Sequence, residues 1–539
     1  MQFALPKPGT TVAAAAAALR VGLLVWALLA VAAVFVMTLG TDEAWVLNGL
    51  RSVLHPQVEH LSTELIVTSG GPFALVNVLL ESAAGSRVWL HRLVSLACLG
   101  GAFVLVLRHG GEVRTPASAR WAMAAPLVAV PGAAEVGTAA LGTSMGLCLM
   151  LAALTLWAST RAALGWRVAG GGLLYGLAAA ARFDLVLVGP AVLLASSVRL
   201  TGERHVELRL NRGAWAFVAI GITLFLLNQW LMGLSANAMA GIEVSAATGL
   251  DPWSLNYPKQ LNQWFTLTTF APLAWLAVMT ISAFWWPQAT AATRGANPTD
   301  APRFETLLAV TGAVLLAAWL VRAPIPHLRY AFPALFCFAA LAAFGLRGLL
   351  VRALASGSTR HVLLCHCAAL ACVLGSIGTT TRSLVMSDSD YASWEWTHEM
   401  PFDYFRRFEA RQHQQDAAAF LRDQLPADAR IYSHVPYALR YLTHRPVVAI
   451  DKVLVTNAAD AAATHAQRYL VLTPAIGTYF SMRPESAMWV LAQAPLIKQI
   501  GRYSIYKLPA GTDADLSHLQ LSRSSYDGHP ASVVWFGRR

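Results

Sequence analysis

Apolar residues along this chain run in blocks of membrane-spanning length, separated by short polar connections rich in arginine. The first block, 21–39, is long enough to cross a hydrocarbon layer of about 30 Å. Further blocks follow at 88–107, 121–138, 140–158, 168–181, 183–198, 214–234, 267–286, 305–321, 330–349 and 361–379. The pattern predicts about eleven transmembrane helices, several near the lower length limit of about 17 residues. Between the first two blocks the pattern changes: from 42 to 87 the chain is mixed, and Trp45, Leu47, Leu50 and Leu54 recur at helical spacing. That predicts an amphipathic helix lying along the interface. The apolar stretch 73–80, after Gly70-Gly71-Pro72, is too short to span alone. Beyond about 380 the blocks end. Helical spacing at 414–425 and 436–442 alternates with strand-like runs at 429–433, 446–450 and 469–473, and a hairpin-like segment occupies 496–508. This alternation predicts a separate α/β domain over 381–510 with a parallel core, followed by a polar, flexible tail at 511–539.

Composition narrows the class. With 56% hydrophobic and 13% charged residues, against a usual charged share of about 25%, the chain reads as a polytopic membrane protein with membrane lipids around it. Its net charge of +11 comes from arginines spread through short loops, a pattern that orients spans in a bilayer and does not make a nucleic-acid surface. Lys7 and Arg20 precede the first block, which exceeds the roughly 7–15 residues of a signal-peptide core and has no small-residue cleavage site before Asp42. A retained first helix with a cytoplasmic N-terminus follows. Alternate loops then carry most of the arginines, including Arg108, Arg161, Arg209 and Arg347, and fall on the inner side of the cell's inner (plasma) membrane. That orientation puts Asp42 and everything after about residue 380 outside. Cys98, Cys148, Cys337 and Cys372 lie within apolar blocks and imply no disulfide framework. Cys365-His366-Cys367 lacks a second ligand pair at zinc spacing, so no metal site is assigned to it.

The candidate chemistry lies on the predicted outer side. Asp42 and Glu43 stand side by side where the first block ends, and ionisable groups at such depth are functional candidates, although a plain helix stop also accounts for them. Glu81 and Arg87 precede the second block, Arg182 sits between two blocks with almost no loop, and Arg329 opens a later block. The plainer reading of both arginines is snorkelling toward the headgroups. Two guanidinium groups beside a carboxylate pair nevertheless suit a phosphate-bearing lipid, because guanidinium binds phosphate with a bidentate fork and a carboxylate can deprotonate an acceptor hydroxyl. The aromatic stretch from Tyr391 to Trp396 reads as an interfacial belt, with a sugar-stacking surface as the sharper alternative.

Thr41-Asp42-Glu43-Ala44 resembles the Asp-Glu motif of the C-type (GT-C) polyprenyl-phosphate-dependent glycosyltransferases, notably the bacterial relatives of protein O-mannosyltransferases and the lipid A aminoarabinose transferases. The segment from Gly176 to Asp184, with Arg182 in it, is similar to a second motif of that family, and Arg329-Tyr330-Ala331-Phe332-Pro333 to a third. The resemblance implies a GT-C-like transmembrane catalytic module over 1–380. It implies inversion at the sugar's anomeric carbon, with Asp42 as general base, Glu43 in support, and Arg182, Arg329 and Tyr330 on the phosphate of a polyprenyl-phosphate-linked sugar. His55, Glu81 and Arg87 would contact an extracytoplasmic acceptor, whether lipid, glycan or protein. The family's His-Pro-Pro segment is poorly kept: His55-Pro56 falls early and Gly70-Gly71-Pro72-Phe73 stands where a Pro-Pro pair is expected. Divalent-metal sites belong to some branches of the family, and no acidic cluster here demands a divalent cation or another cofactor. Two rival classes remain: a transporter or flippase, which would show internal repeats and broken helices, and a lipid-linked glycan polymerase or ligase, which would show a long outer loop between late spans.

Overall fold

The computed structural model describes residues 8–36, 41–54, 71–109, 117–130, 132–200, 206–208, 210–233, 302–322, 328–385, 408–433, 436–449, 464–472, 480–482, 492–501, 503–512, 516 and 521–523. The fold is mostly helical. The first helices are α1 (Pro8–Val36), α2 (Thr41–Leu54), α3 (Gly71–Ala84), α4 (Val88–His109), α5 (Ala117–Val128) and the single turn α6 (Glu135–Thr138). They are followed by α7 (Thr143–Ala158), α8 (Leu164–Ala181), a 3-10 turn at Phe183–Leu187 and α9 (Val188–Ser197). A short antiparallel hairpin, β1 (Val198–Leu200) with β2 (Val206–Leu208), leads into α10 (Arg212–Gly233), α11 (Phe304–Arg322), α12 (Leu328–Ala355) and α13 (Thr359–Val385). Among the described residues five stretches are long and apolar enough to cross a membrane, namely Thr10–Val36, Val88–His109, Arg212–Leu231, Ala331–Ala355 and Thr359–Gly378. Four shorter apolar helices accompany them, and the predicted span at 267–286 lies outside the described residues.

The chain divides into two compact units, the first comprising Met1–Phe35, Thr63–Leu80 and Val88–Ser383, the second Val36–Ser62, Glu81–Arg87 and Leu384–Arg539. In the first unit the helices pack through small residues, as membrane helices do when no water drives them together. A Cβ on Gly176 of α8 would stand 2.7 Å from the Gly221 carbonyl oxygen of α10, so the two backbones touch. Tyr175 stacks on Phe217 at 5.6 Å and donates its hydroxyl to the Val186 carbonyl at 2.6 Å. The predicted span 121–138 is not one helix. Helix α5 stops at Val128, turns follow through Gly132 at φ 72°, and α6 adds only Glu135–Thr138. Hydropathy registers the apolar content of this run, while the left-handed backbone at Gly132 takes it out of the helix.

In the second unit α2 packs against α15 (Pro436–Thr443), burying Ala44, Val46, Leu47 and Leu50. Glu43, Asn48 and Arg51 of the same helix are buried as well, so burial is not confined to an apolar stripe. After α14 (Phe408–Asp423) comes a five-stranded sheet in the order β4-β3-β6-β9-β8, made of β3 (Arg430–Ser433), β4 (Val447–Ala449), β6 (Arg468–Leu472), β8 (Leu496–Ile500) and β9 (Tyr503–Leu508), with β5 (Thr464–His465) and β7 (Phe480–Met482) pairing elsewhere. Strand β3 runs parallel to β4 and β6, whereas β9 is antiparallel to both β6 and β8. Both sheet faces are covered. Tyr432, Leu470, Tyr506 and Leu508 fill one side, and Ile431, Val447, Val471 and Ile505 pack with Leu421 and Leu439 on the other. Continuous apolar runs such as 469–472 are what such doubly covered strands require. Arg445 donates to the carbonyls of Leu421 at 2.6 Å and Leu425 at 3.2 Å, satisfying acceptors that the end of α14 leaves open. Within the stretch predicted as a tail, β10 (Gly511–Thr512) pairs with β5 and β11 (Leu521–Arg523) with β7.

Candidate functional site

Each unit carries part of the candidate chemistry. In the second, Asp42 and Glu43 occupy the first turn of α2, where carboxylates favour the positive end of the helix dipole. Glu43 is fully buried, with Asn48 and Arg51 also buried farther along the same helix. Glu81 is fixed in place: it accepts a hydrogen bond from Ser86 at 2.5 Å and another from the buried Tyr441 hydroxyl at 3.1 Å. Burial, reinforced by the Glu81 carboxylate, pushes the Tyr441 phenol well above its ordinary range, so it stays a donor. Burial and then the Arg51 guanidinium hold His444 below the usual imidazole value, against the opposing pull of Glu81. Arg87 is exposed. His55 lies outside the described residues.

In the first unit Arg182 follows directly on α8. Its backbone leaves the helix in extended geometry (φ −153°, ψ 111°) while its N–H still bonds the Ala178 carbonyl at 2.9 Å, and Phe183 begins the 3-10 turn. That break turns the side chain into the protein, where it is only 8% exposed. The Nε edge pairs with Asp184, at 2.7 Å from Oδ1 and 3.0 Å from Oδ2. Nη1 donates to the Thr143 hydroxyl at the start of α7. A guanidinium held by a carboxylate and a hydroxyl is pre-oriented, so little side-chain entropy remains to be lost when an anion arrives.

Two glycines let the neighbouring backbone reach this arginine. A Cβ at Gly142, just before α7, would lie 2.1 Å from the Ala181 carbonyl oxygen, and one at Gly146 would lie 3.1 Å from the Arg182 Cβ. Replacing Gly142 by Ala must push the end of α8 away. The expected cost is about 3 kcal/mol, the upper part of the range for overpacking, and thermal unfolding of the detergent-solubilised variant measures it. Gly71, at the start of α3, has φ 65° and would place a Cβ 2.8 Å from that of Ala180. A left-handed residue packed this closely must be glycine, which accounts for the Gly70-Gly71-Pro72 segment standing where Pro-Pro was expected.

Arg329 and Tyr330 lie in the first turn of α12, and their side chains are outside the described residues. Sequence reading passed over a buried polar group within the first unit. Asn77 of α3 donates to the Phe73 carbonyl at 2.8 Å, so its oxygen faces His91 Nδ1 at 2.7 Å and accepts a hydrogen bond from it. Arg92, 2% exposed inside a candidate span, donates to the Val34 carbonyl in the last turn of α1 at 3.3 Å. The signal was present as three polar residues, His91, Arg92 and Ser95, in an otherwise apolar block. Among the described residues no group of three His, Cys, Asp or Glu side chains could hold a metal. His366 is buried, with Nδ1 bonded to the Val362 carbonyl of its own helix at 2.8 Å.

No protein-family model matches the chain, and no curated protein matches it. Solved structures do. ArnT from Cupriavidus metallidurans bound to undecaprenyl phosphate aligns with a TM-score of 0.53 at 12% identity, over 91% of this chain and 97% of that one. The same protein in the apo state gives a TM-score of 0.54 at 13% identity, over 93% and 98%. At such identity what is shared is the fold, and this chain has the C-type glycosyltransferase fold that the Asp42, Arg182 and Arg329 segments resemble.

Proposed function

We propose that the protein is an integral-membrane inverting glycosyltransferase that moves a sugar from a polyprenyl-phosphate donor to an extracytoplasmic acceptor, which is a lipid, a glycan or a protein. The acceptor hydroxyl gives its proton to the Asp42 carboxylate, and its oxygen forms a bond to the anomeric carbon. The bond from that carbon to the phosphate oxygen breaks, and the electron pair leaves with the polyprenyl phosphate. Arg182 and Arg329, with Tyr330 beside the latter, balance the charge that develops on the leaving group, the larger lever in chemistry of this kind. Glu43 helps to hold the acceptor or the base, and His55, Glu81 and Arg87 belong to the acceptor side. The topology that goes with this reading has about eleven spans, a cytoplasmic N-terminus and an extracytoplasmic α/β domain at 381–510 in the inner membrane.

One observation carries the reading: a likeness that runs through nearly the whole of both chains, to a structure that holds undecaprenyl phosphate. Arg182, buried and oriented by Thr143 and Asp184, is the group in this chain suited to such a phosphate. Deleting the protein from its host and profiling envelope glycans and lipids by mass spectrometry tests it. The expected result is loss of one sugar residue from one acceptor, with accumulation of the polyprenyl-phosphate-linked sugar. An unchanged glycan profile with altered solute uptake would overturn the reading in favour of a transporter.

A further inference from the structure

Asp184 is the unexpected member of the Arg182 site. A phosphate reaching Arg182 meets a cation that already has a carboxylate 2.7 Å from its Nε. This side chain keeps 26% exposure, against 9% for the arginine's, so it faces the more open side of the pair. On the proposed reaction, which this inference rests on, the substrate and the product differ in charge at the same phosphate. The sugar donor is a phosphodiester with one negative charge. The product is a monoester whose second ionisation falls near pH 6, so it carries close to two at neutral pH.

We infer that Asp184 lowers the preference of the Arg182 site for the dianionic product relative to the monoanionic donor, and thereby promotes release of the spent lipid phosphate. The reasoning is Coulombic. Repulsion from a fixed carboxylate grows in proportion to the ligand's charge, so whatever factor Asp184 takes from the binding of a monoanion, it takes about the square of that factor from a dianion. The Arg182–Asp184 pair is close to neutral as a unit, so the extra charge of the monoester gains little from it. A site built only to grip phosphate would omit the acid. Thr143, which is neutral, already supplies the hydrogen-bonding support that a guanidinium needs.

The test needs no knowledge of the sugar. Farnesyl monophosphate and its methyl phosphodiester are titrated at pH 8 against the full-length protein in nanodiscs, using the native chain and Asp184→Asn, Asp184→Ser and Asp184→Glu. The native protein is expected to bind the two esters about equally, where a bare guanidinium site would favour the monoester; a monoester preference of about tenfold or more overturns the inference without any variant. Asp184→Asn and Asp184→Ser are expected to tighten the monoester about tenfold and the diester about threefold, with Asp184→Glu keeping the native ratio. If the neutral variants weaken both esters by one common factor, Asp184 only holds the Arg182 rotamer and the inference fails. Arg182→Gln separates the two readings. If it binds both probes as the native protein does, Arg182 does not hold phosphate and the functional assignment of that residue falls instead.

Discussion

Asp42→Asn is expected to lower sugar transfer by about 10³-fold, within the range of about 10²–10⁴ that a positioned general base supplies. The carboxamide keeps the volume and much of the hydrogen bonding of the carboxylate and loses only the ability to take a proton at neutral pH. Its neighbour is poorly placed to substitute. Successive residues of a helix project about 100° apart, and the Glu43 side chain is fully buried in the second unit. The measurement is release of polyprenyl phosphate from a polyprenyl-phosphate-linked sugar by purified protein, with expression and membrane insertion as controls. Full activity in Asp42→Asn would remove that residue as the base, while leaving the fold assignment untouched.

The second large effect is at Arg182. Arg182→Gln is expected to reduce kcat/KM by about 10²–10³-fold, the usual consequence of removing one preorganised group that stabilises developing charge. Arg182→Lys should recover little of this. An ammonium is a point charge without the planar fork, and the fork is what reaches the Asp184 carboxylate from Nε and the Thr143 hydroxyl from Nη1 at once. Steady-state kinetics in liposomes with the lipid-linked donor checks both variants. Native-like rates in Arg182→Gln would show that this arginine serves only to pair with Asp184.

Much of the helical framework could be read from the sequence because its signal is local. The apolar blocks at 88–107, 330–349 and 361–379 lie within α4, α12 and α13. The strand-like runs at 429–433, 446–450 and 469–473 coincide with β3, β4 and β6 to within a residue or two. Interruptions were less legible. A hydropathy window sums across Gly132 without registering that the backbone has left the helix there, although it did separate two blocks at Arg182. Within the candidate site, Asp42, Arg182 and Arg329 were found by motif, whereas their partners were not. Thr143 is 39 residues from Arg182 and nothing local marks it. Asp184 was visible two positions away, but its pairing depends on the extended backbone at Arg182, which a helical reading of the same residues would have turned aside. Tyr441 and Glu81 are 360 residues apart, a separation that no pattern along a single chain encodes.

The bond from Arg92 to the Val34 carbonyl bears on how the chain is assembled in the bilayer. An arginine within a span opposes insertion by about 2.5–3.5 kcal/mol at the helix centre and by less toward its ends. The acceptor that receives it belongs to α1, which leaves the ribosome before α4 does. Helix α4 therefore enters a membrane in which the last turn of α1 already offers an oxygen that α1 itself cannot use. The order of synthesis supplies a polar partner at the moment it is needed, and a chain begun after α1 would lack that acceptor.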